Sequence, residues 1–201
     1  MLDAPLRRLI DPPLDRLARP IADHAISANA MTLTGFAVGL LAVPCLAFQW
    51  YLAAMVLIVI NRLADGLDGA VARRVGATDF GGYLDIVCDF IFYAVVPLGF
   101  ALARPENALP AAFLILSFAG TGSSFLAYAV MAAKRGLTTA HQGRKSLYYL
   151  GGLTEGSETI ALFVAMCLLP DAFAWLAYGF GILCWVTTVS RVLAARQSFA
   201  A

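Results

Sequence analysis

Asn61-Arg-Leu-Ala-Asp65-Gly-Leu-Asp68-Gly69-Ala-Val-Ala72-Arg73-Arg-Val-Gly-Ala-Thr-Asp-Phe-Gly81-Gly-Tyr-Leu-Asp85-Ile-Val-Cys-Asp89 is the stretch that decides how this chain is read. Among its aspartates are Asp65, Asp68, Asp85 and Asp89, set inside a chain of 201 residues that is 61% hydrophobic. Mean hydropathy is +0.78. An aspartate at the centre of a membrane helix costs about 2.5–3.5 kcal/mol on insertion scales, so a cluster of them demands compensation. A divalent cation supplies it with the fewest groups.

The surroundings are those of an integral membrane protein. Only 13% of residues are charged, too few to cover the surface of a soluble domain. Acids and bases nearly balance, with a net charge of +1, which argues against nucleic acid as a partner. Cys45, Cys88, Cys167 and Cys184 stand singly in apolar stretches and read as small buried thiols. The N-terminus lacks the pattern of a cleaved signal peptide. Residues 4–22 instead mix Leu and Ile with Arg at helical spacing, which suits an amphipathic helix in the membrane interface or one packed on the protein's own cytoplasmic face.

Six spans are predicted after it, near Met31–Gln49, Tyr51–Arg73, Tyr83–Ala103, Ala108–Ala133, Leu147–Leu169 and Asp171–Val192. Each approaches the ~20 residues that cross ~30 Å of hydrocarbon. The expected fold is thus an all-α polytopic membrane protein, with residues 1–26 as the interfacial helix and residues 27–201 as the six-helix transmembrane domain. Arg7, Arg8, Arg16 and Arg19 precede the first span, and Arg73 and Arg74 follow the second. Lys134, Arg135, Arg144 and Lys145 follow the fourth, and Arg196 the sixth, while the opposite loops carry only Arg104. Basic residues mark cytoplasmic loops, so both termini and the acidic stretch are expected on that side.

Asp65 and Asp68 are three apart and Asp85 and Asp89 four apart, so each pair shares a helix face. The short turn Val75–Asp79 predicts antiparallel neighbouring helices with four carboxylates facing each other at one depth. All-oxygen ligands favour a hard cation, Mg²⁺ or Mn²⁺. Two ions bridged by shared carboxylates would suit phosphoryl chemistry. Gly69 permits close approach of a ligand or a facing helix, and Arg73, one turn on, is placed to reach a phosphate. Two other readings stand beside this one. A polar helix seam needs Asp–Arg pairs and glycine contacts only, and a cation or proton transporter would set its acids deeper, on broken helices.

The same residues resemble the CDP-alcohol phosphotransferase (CDP-alcohol phosphatidyltransferase) family, whose pattern is D-x2-D-G-x2-A-R, seven or eight residues, then G-x3-D-x3-D. Here Asp65, Asp68, Gly69, Ala72, Arg73, Gly81, Asp85 and Asp89 fill all eight fixed positions within 25 residues. The resemblance implies that the hydroxyl of one alcohol attacks a CDP-linked alcohol, CMP leaves and a phosphodiester forms. It implies metal binding by Asp65, Asp68, Asp85 and Asp89 as a two-ion site, with Asp89 as the base that deprotonates the acceptor. Asp68, Gly69, Ala72 and Arg73 would line the nucleotide and its pyrophosphate. Ser27-Ala-Asn29-Ala-Met-Thr32 resembles the family's entry to the first span, with Ala28 and Met31 in place of its Pro and Leu. Asn29 and Thr32 are therefore nucleotide candidates, although Asn29 could equally be a helix cap.

The acceptor is left open. Arg144 and Lys145 would hold a phosphate, favouring glycerol phosphate or inositol phosphate; Glu155 and Glu158, three apart, would attract an ammonium, favouring serine or choline. Ordinary positive-inside charge and Glu–Arg pairing explain the same residues. CDP-diacylglycerol is the expected donor, with transfer from CDP-choline to diacylglycerol as the alternative. Gly120, Gly122, Ser123 and Ser124 permit close helix contact, either within the chain or in the homodimer that the resemblance suggests. The expected location is a bacterial inner membrane.

Overall fold

A computed structural model describes residues 3–24, 27–136 and 153–199, with side chains from residue 10 onward. Every regular element among them is helical. The α-helices are α1 (Asp3–Asp23), α2 (Ala28–Leu40), α3 (Ala42–Ala47), α4 (Tyr51–Val75), α5 (Asp79–Ala103), α6 (Ala108–Lys134), α7 (Gly156–Leu168) and α8 (Phe173–Phe199). Single 3-10 turns, Pro105–Asn107 and Pro170–Ala172, lead into α6 and α8.

Local chemistry sets the breaks. Ser27 caps α2, its Oγ accepting the Ala30 N–H at 3.2 Å. The first expected span is two helices rather than one, divided at Leu41. Pro44 has no N–H to offer the Leu40 carbonyl four residues back, and its ring crowds that carbonyl. Gly76, at φ +108°, turns the chain after α4, and Thr78 caps α5 by accepting the Gly81 N–H at 3.0 Å. α7 begins only at Gly156, because Glu155 and Glu158 form a reciprocal capping box.

Among the described residues, four stretches are long and apolar enough to cross a membrane: Ala28–Ala47, Asp79–Ala103, Pro105–Lys134 and Pro170–Phe199. That is a correction to the six expected. α4 has the length, at 25 residues, but Arg62, Asp65 and Asp68 interrupt its apolar run. Within the fifth expected span, Leu153–Glu155 are not helical and α7 has 13 residues. Positions 147–152 lie outside the described residues.

Phe92, Phe100, Phe163, Phe173, Ile58 and Met166 fill a core shared by α4, α5, α7 and α8. Leu52, Leu102, Leu109 and Trp175 point outward and are exposed. Apolar surface on this scale is what lipid, not water, covers. Cys88, Cys167 and Cys184 are buried free thiols and Cys45 is half-buried. Gly120 and Gly122 face Trp185 and Phe90 of the same chain, which gives them an internal packing role.

α4 and α5 are antiparallel, since Arg62 meets Asp89 while Asp68 lies near Asp85, but they are not close-packed neighbours. α2 and α3 pack against both of them and hold them apart. The wedge depends on two glycines. A Cβ on Gly35 would stand 2.6 Å from the Ala64 Cβ, and one on Gly39 would stand 2.8 Å from both Asn61 and the Phe92 ring. Gly39→Ala should therefore destabilise the protein by about 1–3 kcal/mol, the usual scale of overpacking. Thermal unfolding in detergent would show a lower midpoint for Gly39→Ala than for Gly179→Ala, where a Cβ meets nothing within 4 Å. Equal midpoints would refute the tight wedge.

Candidate active site

The cleft between α4 and α5 collects the acids. Asp65, Asp68 and Asp85 each present an oxygen, all within 4.8 Å of one another. They lie six to ten residues from the facing helix ends, roughly 9–15 Å inward at about 1.5 Å per residue. Oxygens around an octahedral Mg²⁺ at 2.0–2.1 Å sit about 3–4 Å apart, so a small rotamer change closes this set on an ion. An all-carboxylate donor set fits a hard divalent cation.

Asp68 is 5% exposed and needs a donor. Thr32 of α2 supplies one, its Oγ1 donating to Asp68 Oδ2 while also reaching the Ala28 carbonyl at 3.1 Å. Thr32, read from sequence as a nucleotide contact, here orients a cluster carboxylate. Asn29 is not the helix cap, a role Ser27 takes. It lies in the first turn of α2, beside Gly81: a Cβ on that glycine would come within 3.0 Å of Asn29 Oδ1.

Asp89 borders Asp65 without joining the mutual group of the other three. Its Oδ1 accepts from Arg62 Nη1 at 2.7 Å, and the same nitrogen is 3.8 Å from Asp65 Oδ2. Arg62 in turn donates from Nε to Asn61 Oδ1 at 2.7 Å, and Asn61 Nδ2 donates to the Gly35 carbonyl at 2.9 Å. Asn61 and Arg62 were not identified as site residues from sequence. The available signal was the spacing of Arg62, three before Asp65, which places a cation on the acidic face.

A Cβ on Gly69 would meet only Arg73 Nη1, at 3.6 Å, so its face is open to a ligand. Ala72 is half-buried one turn on. Arg73 pairs with Asp15 of α1 at 3.3 Å, with both side chains about half exposed at 48% and 45%. Arg74 donates to the Asp15 carbonyl at 3.0 Å. α1 thus reaches the end of the cleft, docked by Leu14 and Ala18 against Ala70 and Val71. Glu155 and Glu158 belong to the α7 cap, where Glu158 Oε2 accepts the Glu155 N–H at 3.2 Å and the Ser157 hydroxyl at 3.2 Å. That structural duty accounts for their spacing without an acceptor. Arg144 and Lys145 lie outside the described residues.

An acid cluster suited to a hard cation, set near one end of a helical bundle with a largely apolar surface, is an arrangement that metal-assisted phosphoryl transfer in a membrane can use. Residues 25–193 match the family model for CDP-alcohol phosphatidyltransferase. The chain belongs to that family and is a membrane transferase of phospholipid biosynthesis. It is 56% identical over 193 residues to the inner membrane protein YnjF of Escherichia coli, covering 96% of this chain and 94% of the relative. It is 30% identical to the archaetidylinositol phosphate synthase of Pyrococcus horikoshii, covering 96% and 95%. The fold is shared with the phosphatidylinositol phosphate synthase of Mycobacterium tuberculosis. With CDP-DAG bound, that structure has TM-score 0.68 and 21% identity, over 91% of this chain and 93% of the other. Its complex with manganese and citrate gives TM-score 0.71 and 21% identity, over 90% and 88%.

Thr32→Val removes the donor to a buried carboxylate while keeping the shape of the side chain. The cost of leaving such a group unsatisfied is about 1–3 kcal/mol. A lower unfolding midpoint and weaker Mn²⁺ binding than in the parent protein are expected. An unchanged midpoint and affinity would show that Asp68 does not depend on Thr32.

Proposed function

We propose that this enzyme transfers a phosphatidyl group from CDP-diacylglycerol to the hydroxyl of a small polar alcohol, releasing CMP. The observation that carries this reading is the meeting of Asp65, Asp68 and Asp85 within 4.8 Å beside Asp89. The relatives' names favour a phosphorylated inositol as the first acceptor to try, and Arg144 and Lys145 are its proposed contacts. Glu155 and Glu158 receive less support as acceptor ligands, because the α7 cap already employs them.

In this mechanism Asp89 takes the proton of the acceptor hydroxyl. The hydroxyl oxygen attacks the phosphorus that bears the diacylglycerol, the pyrophosphate P–O bond breaks, and CMP carries away the bonding electrons. Asp65, Asp68 and Asp85 would hold Mg²⁺ or Mn²⁺, which when bound supplies the positive charge that offsets the pyrophosphate and eases CMP departure. The open face of Gly69, with Asp68, Ala72 and Asn29, lines the nucleotide. Arg73 binds phosphate after exchanging its exposed contact with Asp15, a pair weak enough to be given up. Positioning and electrostatics provide most of the acceleration.

The proposal extends to topology. α1 lies along the cytoplasmic interface as a unit distinct from residues 27–201. Both termini and the cleft face the cytoplasm of a bacterium, as the Lys and Arg distribution suggests. A homodimer forms through faces other than those of Gly120 and Gly122.

CMP release from CDP-diacylglycerol in liposomes tests the reading, with inositol phosphate, glycerol 3-phosphate, serine, choline and inositol offered separately. One acceptor should support turnover, and Asp89→Asn should slow it by about 10²–10⁴-fold, the range for removing a positioned base. Chelation should abolish turnover and added Mg²⁺ or Mn²⁺ should restore it. CDP-choline and diacylglycerol form the opposing arm; turnover there alone would replace the proposed donor.

A further inference from the structure

We infer that Asp15 of α1 is an internal anion of the donor site: it parks the Arg73 guanidinium beside the open face of Gly69 and yields it to the diphosphate of the CDP-alcohol. α1 is then part of the nucleotide site, and its carboxylate sets how tightly the donor and CMP are held. This rests on the phosphatidyltransferase reading above and adds to it a residue that lies outside the acidic motif. Arg73 spans the two neighbours. One terminal nitrogen, Nη2, lies 3.3 Å from Asp15 Oδ1. The other, Nη1, is the group that a Cβ on Gly69 would meet, at 3.6 Å. The guanidinium therefore already stands where a phosphate would enter, directly after Asp68.

Asp15 is itself held in place. Arg74 Nη2 donates to the Asp15 carbonyl at 3.0 Å, so two consecutive arginines grip one residue, by its side chain and by its backbone. Leu14 and Ala18, buried against Ala70 and Val71, seat α1 on the same turns of α4. Gly66 receives Leu14, since a Cβ there would stand 2.7 Å from Leu14 Cδ1. The backbone bond and this packing persist when the carboxylate lets Arg73 go, so the exchange needs no undocking of α1. Its direction favours the ligand. Both side chains are about half exposed, at 48% and 45%, and such a pair is worth at most about fivefold in an equilibrium constant. Phosphate oxygens offer the guanidinium fork two parallel charge-assisted bonds and more negative charge. A buried, stronger pair would block the site, and no pair at all would leave a long side chain to be ordered at every binding event. After transfer the carboxylate competes with CMP for the same nitrogen and favours its departure.

Loss of a competing anion and loss of a mere staple for α1 have opposite signs: the first tightens nucleotide binding, the second loosens it. The test is calorimetric titration of CMP into the full chain in detergent with Mg²⁺ present, alongside the KM for CDP-diacylglycerol. Asp15→Asn should bind CMP about two- to fivefold more tightly and lower the donor KM by a similar factor, the range that an exposed ion pair allows. Asp15→Glu keeps the carboxylate and should stay within about twofold of the parent protein. Asp15→Ala removes the same charge and repeats the test if the amide variant does not fold. In an Arg73→Gln background Asp15→Asn should change nothing, because no cation remains to compete for. CMP bound no more tightly by Asp15→Asn and Asp15→Ala would overturn the inference, as would the same gain in the Arg73→Gln background. A parent chain that binds no CMP would overturn it outright. Failure of the phosphatidyltransferase reading looks different: the parent protein would release no CMP from CDP-diacylglycerol with any acceptor, whatever its affinity for added CMP.

Discussion

Like charges must be brought together in a cleft only partly open to solvent, and the rest of the structure follows from that constraint. Four carboxylates on two helices repel one another, and lipid offers no solvent to relieve them. The chain answers with separation, donors and a cation of its own. α2 and α3 hold α4 and α5 apart, so the acids meet across a cleft and not in a packed seam. Thr32 donates to Asp68, and Arg62 donates to Asp89. Each of these contacts comes from a residue whose own position is fixed by packing: Thr32 by the α2 wedge, Arg62 by two aromatic rings and Asn61.

The wedge explains why small residues cluster where they do. Gly35 and Gly39 let α2 press against Ala64, Asn61 and Phe92, and Gly66 lets α1 press Leu14 onto the opposite face of α4. α4 is therefore clamped on two sides along the turns that carry Asp65 and Asp68. A helix gripped in this way cannot easily rotate its acids out of register, which is what preorganisation requires of a site that works by position and charge.

Much of this was legible in the sequence because it is written in spacing. Acids at three and four residues identify shared helix faces, and the three-residue connection 76–78 forces α4 and α5 to reverse direction. What escaped was set by contacts between distant segments. Nothing in the periodicity of residues 28–40 announces a wedge, and the antiparallel pair was expected to touch. Thr32 entered as a nucleotide candidate through the resemblance at the start of the first span, and its bond to Asp68, 36 residues away, was not readable from the chain. Arg62 was passed over because an arginine in a span reads as charge to be hidden, and its use appears only when Asp89 arrives from α5. Glu155 and Glu158 run the opposite way: they form a local capping pattern, readable from the chain, beside the longer-range purpose offered for them. The count of spans faltered at α4 for the same reason that made it interesting, since the charges that build the site spoil its hydropathy.

The division of contacts within the bundle has a consequence for how such an enzyme can diversify. All four acids, their donors and the α2 wedge belong to the first half of the chain, where no glycine at the wedge can gain a methyl group without a clash. α6 and α8 pack chiefly on each other, joined through polar links such as Arg191 to the Thr121 carbonyl and Tyr128 to Ser198. The first half is a fixed chassis for one reaction, while the second half is free to vary its lining without disturbing the machinery. New headgroup preferences would then arise by drift in the second half, leaving the acid motif as the inherited signature of the chemistry.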